Sequence, residues 1–527
     1  MSTCMKRARH PRHALLAAAG IGVAVLTTAG CTGSGSSANG GANGSSASGP
    51  LVWAVNADVT GLDPQNNGQD VSQNIMALVY EQLLTLGDGV HVSPQLASGY
   101  KQVSPTVYDF TLRSGVKFSN GRELTTDDVV KSFQRIRSKK EGSYLAARLG
   151  AITSIKATDS HTVEFTLSRP FSGFLAAVAD PAAAILPMKE LDGGTFDPTK
   201  TMLGTGPYLV SSHQQGSSWT FAKNPYYWRT GLPKVDQVRI TVLPDQGTQI
   251  AALRGGSAGI ATFSSSEAAD LTSRIPGVKV VTQTTSAYYI LLTNDVSSPQ
   301  LKSVQTRQGI NLALDRSQIA SVALGGHAVP VGPAPGLPDS CPVSALPYSK
   351  QDISRAQQSL AAGGRLTKPL VLKYDTAFPD MANIAQVIKS QLAKVDVQVN
   401  LQPLPDGQYL TDLVGGNFDL GLTFYRSADP YFGLVNWSPS LSGFTSKFST
   451  PVPAIETNLP LIAAETGTAR TEAIGKVCAA ADQDSAQMPL VSKTLTVAWN
   501  KNKLTADVLS AENGADPLRN IASFTSR

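Results

Sequence analysis

Two side chains of opposite charge lie three residues apart in an aromatic loop of this 527-residue chain, and their chemistry suits the binding of a charged small molecule. Arg426 and Asp429 follow a predicted strand at 418–423. A guanidinium can hold a carboxylate through two parallel hydrogen bonds, and a carboxylate in a water-poor cleft can hold a cation. Because α/β proteins bind ligands beyond the carboxyl ends of their strands, this loop is a candidate binding site.

Aromatic side chains surround this pair of charges in the sequence and could form the apolar walls of the same site. They are Tyr425, Tyr431, Phe432 and Trp437. Aromatic residues in such loops also serve simply as packing, so both interpretations stay open for each of them.

Patterns typical of enzymes are weak in this chain. Residues 255–259 match G-x-S-x-G with Ser257 as the nucleophile, but a helix precedes and a strand-like segment follows, the reverse of the order that a nucleophile elbow needs. The four histidines that follow residue 30 are isolated from one another, and H-E-x-x-H, C-x-x-C and P-loop motifs are absent from the sequence. The sequence therefore predicts a binding protein without a catalytic centre, metal or cofactor, and a hydrolase using Ser257 is the minor alternative.

The N-terminal fifty residues have the pattern of a targeting segment and a tether. Basic residues precede a short apolar stretch, and small residues at 28–30 precede Cys31, which resembles a bacterial lipobox. This predicts a lipoprotein signal peptide over 1–30 and a lipid on Cys31; the alternative is ordinary signal cleavage elsewhere. Residues 31–50, mostly Gly, Ser, Ala and Asn, predict a flexible tether.

Charge gives no support for nucleic-acid binding. The signal peptide carries four of the 44 basic residues and none of the 39 acidic ones, so the mature chain is nearly neutral. A basic stripe with interleaved aromatic residues, which would indicate such binding, is also missing.

Strand-like and helix-like segments alternate along the rest of the chain, which predicts an α/β architecture. Among them, residues 74–84 have the pattern of an amphipathic helix and residues 395–401 that of an alternating strand. Residues 108–136 predict a strand, an Asn-Gly turn and a helix that Thr125 and Thr126 can cap.

The residue identities in several segments are more specific than their periodicity. Residues 108–136 read YDFTLRSGVKFSNGRELTTDDVVKSFQRI, and further motifs are YEQLL at 80–84, GTGPY at 204–208, NPYYW at 224–228 and ALDR at 313–316. Together they resemble the extracytoplasmic solute-binding proteins of the peptide/nickel class (family 5) of ABC importers. The resemblance covers nearly all of residues 51–500.

This resemblance implies a two-lobe, periplasmic-binding-protein-like fold (type II, cluster C) with two segments crossing between the lobes. The first lobe would comprise 51–285 plus 488–527, with an extra subdomain near 90–200, and the second lobe 286–487. The family's mechanism implies a monomer that encloses its ligand by hinge closure.

The resemblance also implies roles for individual residues. In the family's peptide binders an acidic residue of the corresponding segment holds the ligand's α-ammonium, which implies that role for Asp429. Asp63 lies on a predicted cleft-facing loop, and Tyr288 lies beside the predicted crossing, where it faces the cleft or the core equally well. In the other interpretation, Asp429 is a turn residue before proline and Arg426 a surface or interlobe ion pair.

The implied function is capture of a small solute, above all a short peptide, for ABC permease and ATPase subunits at the outer face of the cell membrane. Nickel chelates, opines and oligosaccharides remain open as ligands, as does ligand sensing without transport. In such an oxidising compartment Cys341 and Cys478 could form a disulfide or remain two buried thiols.

Overall fold

The computed structural model describes residues 49–87, 91–138, 140–263, 265–337, 340–364, 366–426, 428–509 and 518–527. These residues belong to one compact unit that begins at Ser48. The predicted signal peptide, Cys31 and all but the last two residues of the predicted tether lie outside the described residues. The strands are, in chain order, β1 (Leu51–Val55), β2 (Leu84–Leu86), β3 (Val92–Pro94), β4 (Ala97–Ser104), β5 (Val107–Leu112), β6 (Ile152–Ala157), β7 (Thr162–Leu167), β8 (Tyr208–Gln214), β9 (Ser218–Lys223), β10 (Gln237–Val242), β11 (Ile260–Phe263), β12 (Val278–Thr293), β13 (Leu370–Asp375), β14 (Val399–Leu404), β15 (Leu420–Tyr425), β16 (Gln487–Asn500), β17 (Leu504–Thr505) and β18 (Thr525–Ser526).

The helices pack against these strands and against one another. In chain order they are α1 (Asp70–Met76), α2 (Thr126–Arg137), α3 (Leu145–Arg148), α4 (Phe174–Val178), α5 (Met188–Asp192), α6 (Gln246–Gly255), α7 (Glu267–Ser273), α8 (Val304–Ala313), α9 (Arg316–Gln318), α10 (Ile353–Gly363), α11 (Pro379–Ala393), α12 (Asp406–Gly415), α13 (Pro430–Leu434), α14 (Pro453–Ala464) and α15 (Gly467–Asp484). None of the helices in the described part of the chain is long and apolar enough to cross a membrane.

A mixed sheet runs through both halves of the molecule in the order β14-β13-β15-β12-β16-β11-β1-β10-β9-β8. β1 pairs in parallel with β10 and β11 on one side, and β13 pairs in parallel with β14 and β15 on the other. The part around β1 is called the first lobe here, and the part around β13 the second lobe. The α/β class predicted from alternating segments is confirmed.

Two long strands, β12 and β16, connect these lobes. They pair antiparallel over nearly their whole length, with shifts of register between Thr284 and Ile290. The end of β12 pairs with β15 of the second lobe, whereas the end of β16 pairs with β11 of the first. The predicted lobe boundary at 285/286 falls inside β12, and the one at 487/488 falls at the start of β16; the bounds themselves stay a prediction.

An antiparallel sheet of order β4-β5-β7-β6 forms a separate layer of the first lobe, covered by α2. Alternation along β5 buries Tyr108, Phe110 and Leu112, and Phe110 meets Phe165 edge to face. A cap at the start of α2 is predicted from the sequence, and the structure places it at Thr125, which forms a reciprocal capping box with Asp128. The motif at 108–136 that carries the resemblance therefore forms a scaffold of this layer, with its apolar side chains in the core.

Two predicted elements differ from the structure because tertiary contacts outweigh local pattern. The helix predicted at 74–84 ends at Met76, since the carbonyl oxygens of Leu78 and Val79 accept hydrogen bonds from Tyr208 and Gly206. The strand predicted at 395–401 begins only at Val399, because the preceding residues form the turn that ends α11.

The structure joins Cys341 and Cys478 in a disulfide, with Cα atoms 5.8 Å apart, a separation that suits such a bond. Both cysteines are buried in the second lobe, where the bond ties the loop before Leu346 to α15.

Candidate functional site

The candidate site follows β15, at the carboxyl end of a second-lobe strand. β15 ends at Tyr425, α13 starts at Pro430, and a single 3₁₀ turn then ends at Trp437. This segment also reaches the first lobe, through Arg426, Tyr431 and Phe432.

Asp429 is buried, and both of its carboxylate oxygens already accept hydrogen bonds in this structure. One carboxylate oxygen accepts the backbone N–H of Tyr431 at 2.8 Å and thereby caps α13. The other accepts a hydrogen bond from Arg470 Nη2 at 2.8 Å, and Arg470 is itself held by the carbonyl oxygen of Ile462. Asp429 is thus a capping residue before proline, and a ligand's ammonium would have to share it with Arg470.

Arg426 reaches across to the first lobe and forms an ion pair with Asp70, the first residue of α1. The negative charge of Asp70 raises the pKa of the guanidinium. Its side chain remains 32% exposed and lines a cavity of about 90 Å³ together with Gln73 and Asn74. Arg426 can therefore form the interlobe ion pair and can also contact a ligand in this cavity.

Two of the predicted wall residues, Tyr425 and Trp437, pack with Tyr288 in the second-lobe core. Tyr425 contacts Tyr288 and Trp437 edge to face, with ring centroids 6.1 and 5.8 Å apart. The Tyr425 hydroxyl donates to Gln487 at 2.9 Å, and burial raises the pKa of both tyrosines. Within the described residues, the buried Nε1–H of Trp437 has no acceptor, so this indole retains a free donor.

Tyr431 and Phe432 instead contact the first lobe. Their rings lie 5.6 and 5.7 Å from the ring of Phe171, and the guanidinium of Arg148 lies 4.9 Å from the Phe432 centroid. Phe432 is 7% exposed and belongs to the same apolar cluster as the first-lobe subdomain. The two lobes are therefore in direct contact through these rings.

Asp63 does not join this group of residues. Its carboxylate is ion-paired with Arg135 at 2.6 Å and accepts the backbone N–H of Gln65 at 3.0 Å. Its hydrogen bonds thus fix a loop of the first lobe against α2.

Ser257 lacks the surroundings of a catalytic nucleophile. It lies between α6 and β11, and its hydroxyl donates to the carbonyl oxygen of Ala252 at 3.3 Å. A nucleophilic serine needs a base within hydrogen-bonding reach, and the described structure gives it a backbone carbonyl instead. Across the described residues there is likewise no cluster of three or more His, Cys, Asp or Glu side chains that could hold a metal ion.

Sequence reasoning overlooked several side chains around β15 and the segment that follows it, namely Asp70, Arg148, Phe171, Arg470 and Lys493. Most of them carry no local signal, because their role depends on a partner far away in the chain. Lys493 is the exception, since a lone lysine interrupts the apolar run of β16.

The structure has the two-lobe architecture of a binding protein, in which two strands join the lobes and Arg426, Tyr431 and Phe432 contact the first lobe. The family model of the bacterial extracellular solute-binding proteins, family 5 (middle), matches residues 91–444. The chain therefore belongs to family 5 of the bacterial extracellular solute-binding proteins, as the motifs predict.

Individual relatives agree with this assignment. The glutathione-binding protein GsiB of Salmonella typhimurium (strain LT2) is 25% identical over 407 residues, which cover 74% of this chain and 79% of that protein. The oligopeptide-binding protein AppA of Bacillus subtilis, solved with a nonapeptide, superposes with a TM-score of 0.78 at 21% identity, covering 91% and 99% of the two chains. AgaA of A. tumefaciens R10, solved with agropinic acid, gives a TM-score of 0.79 at 22% identity, with the same coverage. These relatives are binding proteins, which points away from an enzyme.

Proposed function

We propose that this chain is the substrate-binding lipoprotein of an ABC importer, which captures a short peptide between its lobes by hinge closure and delivers it to a membrane permease. The observation that carries the proposal is the contact between the lobes through the segment that follows β15. Arg426 meets Asp70 there, and Phe432 enters the apolar cluster of the first lobe. Family membership and the names of relatives that bind peptides or glutathione support the same reading.

Hinge closure is supported by the way the lobes are connected. β12 and β16 cross between them, and the shifts of register near Thr284 and Tyr288 lie at the crossing. A small number of residues at such a crossing can absorb a change of backbone angles. A ligand that contacts both lobes then stabilises the closed form in proportion to the contacts it makes only there.

Asp429 is proposed to hold the peptide's α-ammonium. Since Arg470 occupies one of its oxygens, the ammonium shares the carboxylate with that guanidinium or displaces it. Charge-assisted hydrogen bonds contribute about 1.5–3 kcal/mol each, so the ammonium contact would be a major part of the affinity.

The lipid anchor is proposed from the segment that ends at Cys31, a part of the chain outside the described residues. A lipid there would hold the folded body near the membrane through the 31–50 tether. Replacement Cys31→Ala should release the mature protein from the membrane fraction.

Three measurements test the proposal. Native mass spectrometry of the purified protein should reveal a co-purified peptide, and small-angle scattering should show compaction when that peptide is returned to the stripped protein. Deletion of the cognate permease should abolish uptake of the peptide in cells. Uptake that persists without the permease would contradict the importer function.

The role of Asp429 has its own test. Asp429→Asn should weaken binding of a free peptide by about 10-fold or more and leave an N-acetylated peptide unaffected. Asp127, an exposed carboxylate on α2, provides the matched control Asp127→Asn. Equal affinities of wild type and Asp429→Asn for the free peptide would refute the assignment.

A further inference from the structure

Four polar side chains of the first lobe are joined in one chain of hydrogen bonds. One carboxylate oxygen of Asp180 accepts the Tyr144 hydroxyl at 2.7 Å, and the other accepts a hydrogen bond from Arg148 Nη1 at 3.0 Å. The Tyr144 oxygen in turn accepts the amide N–H of Gln73 at 2.8 Å. These four residues, Gln73, Tyr144, Arg148 and Asp180, are called the interlobe network here.

The carboxylate of Asp180 sets the direction of the hydrogen bonds in this network. Because an ionised carboxylate only accepts, Tyr144 donates to it and can accept from Gln73. The Gln73 amide nitrogen also donates to the carbonyl oxygen of Asn67 at 3.1 Å, so both of its hydrogens are used. The amide oxygen of Gln73 is thereby turned away from Tyr144 and can accept from a donor elsewhere.

Both ends of the interlobe network contact the second lobe. At one end, the Gln73 amide oxygen accepts a hydrogen bond from Arg426 Nη2 at 3.4 Å. At the other end, the Arg148 guanidinium is held by Asp180 and lies 4.9 Å from the ring centroid of Phe432. A cation fixed over a ring face attracts that ring electrostatically. The first lobe thus presents an oriented acceptor and an oriented cation to the second lobe.

Backbone groups near Phe432 join the same two lobes. The N–H of Ser172 donates to the carbonyl oxygen of Ala463 at 2.8 Å, and its hydroxyl donates to that of Ile462 at 3.0 Å. Ser172 precedes Gly173, at which a Cβ atom would lie 3.0 Å from the Phe432 ring. All of these contacts join protein groups to protein groups, so they are the same whichever solute lies between the lobes.

Tyr144 contributes to the network through its hydroxyl and not through its ring. The residue is 37% exposed, so its ring adds little to the apolar core of the first lobe. Its hydroxyl is nevertheless bonded on two sides, to Asp180 and to Gln73. Removal of this hydroxyl should therefore disturb the network and leave the fold intact.

We infer that the interlobe network sets the equilibrium between the open and closed forms of the protein, through contacts that do not involve the solute. This inference rests on hinge closure, which is part of the proposed function. A contact made only in the closed form adds the same free energy to the binding of every solute, because closure is a step that all of them share. The network therefore sets the level of affinity and leaves the choice of solute to other groups.

Tyr144→Phe tests the network by calorimetric titration with three tripeptides that differ in one side chain: trialanine, Ala-Lys-Ala and Ala-Glu-Ala. The variant should lose about 2- to 12-fold in affinity, the effect of one hydrogen bond, and by the same factor for each peptide that wild type binds. Tyr100→Phe is the matched control, since Tyr100 is 39% exposed on β4 of the same lobe, and it should bind like wild type. In an Arg426→Met background the loss caused by Tyr144→Phe should largely disappear, because Gln73 then has no guanidinium to receive.

Hydrogen exchange of the Ser172 amide provides a readout without any peptide. Its N–H is bonded across the lobes, so it exchanges when they open, and it should exchange about 2- to 12-fold faster in Tyr144→Phe than in wild type. The Gly206 amide, bonded to Val79 within the first lobe, should exchange at the same rate in both proteins.

Three results would overturn the inference. Equal exchange of Ser172 in wild type and Tyr144→Phe would show that the network does not control closure. Unequal losses of affinity among the peptides would place Tyr144 in contact with the solute, and a loss that persists in Arg426→Met would show a role in the fold of the first lobe alone. If wild type binds none of the three peptides, the proposed peptide ligand fails, whereas the exchange of Ser172 still decides on the network.

Discussion

Gly173 offers a way to test the contact between the lobes without changing any charged group. It precedes α4 with φ −77° and ψ −1°, a conformation that alanine adopts without strain. A Cβ atom at this position would lie 3.0 and 3.1 Å from two ring carbons of Phe432, and 3.2 Å from Phe171. Gly173→Ala therefore places a methyl group directly against the ring that enters from the second lobe.

The expected magnitude follows from these distances. Carbon atoms pack at about 3.5–4.0 Å, so the Phe432 ring must move by roughly half an ångström. Overpacking of this kind costs about 1–3 kcal/mol. This cost lowers the equilibrium constant for closure of the lobes by about 5- to 150-fold. The fold of the first lobe should change in stability by less than about 1 kcal/mol, because the backbone accommodates alanine.

Calorimetric titration of the bound peptide and chemical unfolding of the ligand-free protein separate these two effects. Gly173→Ala should weaken binding and leave unfolding nearly unchanged. Gly475→Ala is the matched control, since a Cβ at Gly475 meets nothing within 4 Å. In a Phe432→Ala background the Gly173→Ala penalty should largely disappear, because the clashing ring is gone.

Two results would refute this reasoning. Wild-type affinity in Gly173→Ala would mean that the ligand-bound form does not contain the Phe432 contact. An equal loss of affinity with and without Phe432 would mean that the added methyl acts through Phe171 inside the first lobe.

Three further predictions concern stability. Burial, with Asp406 nearby, raises the pKa of Asp375 to about 6. Ionisation of Asp375 therefore lowers the folding stability as the pH rises from about 4 through 6. Asp375→Asn should raise the thermal midpoint at pH 7.5 and leave it unchanged at pH 4. Replacing Cys341 and Cys478 by serine should lower the free energy of unfolding by about 2–4 kcal/mol, and a reductant should have no further effect on that variant. Asp63→Asn should cost about 1–3 kcal/mol in chemical unfolding and leave peptide affinity unchanged, because Asp63 is bonded within the first lobe; a selective loss of affinity would instead restore its predicted role in binding.

Local sequence pattern predicted much of the fold. The alternation of residues 108–112 and the cap at Thr125 gave the strand and helix of the first-lobe subdomain, because side-chain period and capping act over a few residues. Pattern failed at residues 77–83, where hydrogen bonds from Gly206 and Tyr208 hold the backbone out of a helix. Such partners lie more than a hundred residues away and leave no trace in local periodicity.

The sequence by itself determined the family, the α/β class and the loop after β15 as the candidate site, since these depend on motifs and on the order of elements. Only the tertiary structure decided how the charges of that site are paired. Arg426 meets Asp70, which lies 356 residues away in the chain, and Asp429 meets Arg470, 41 residues away. Lys493 acquires its place between two rings only when β16 crosses between the lobes. Electrostatic pairing depends on distance in space, and folding alone sets that distance.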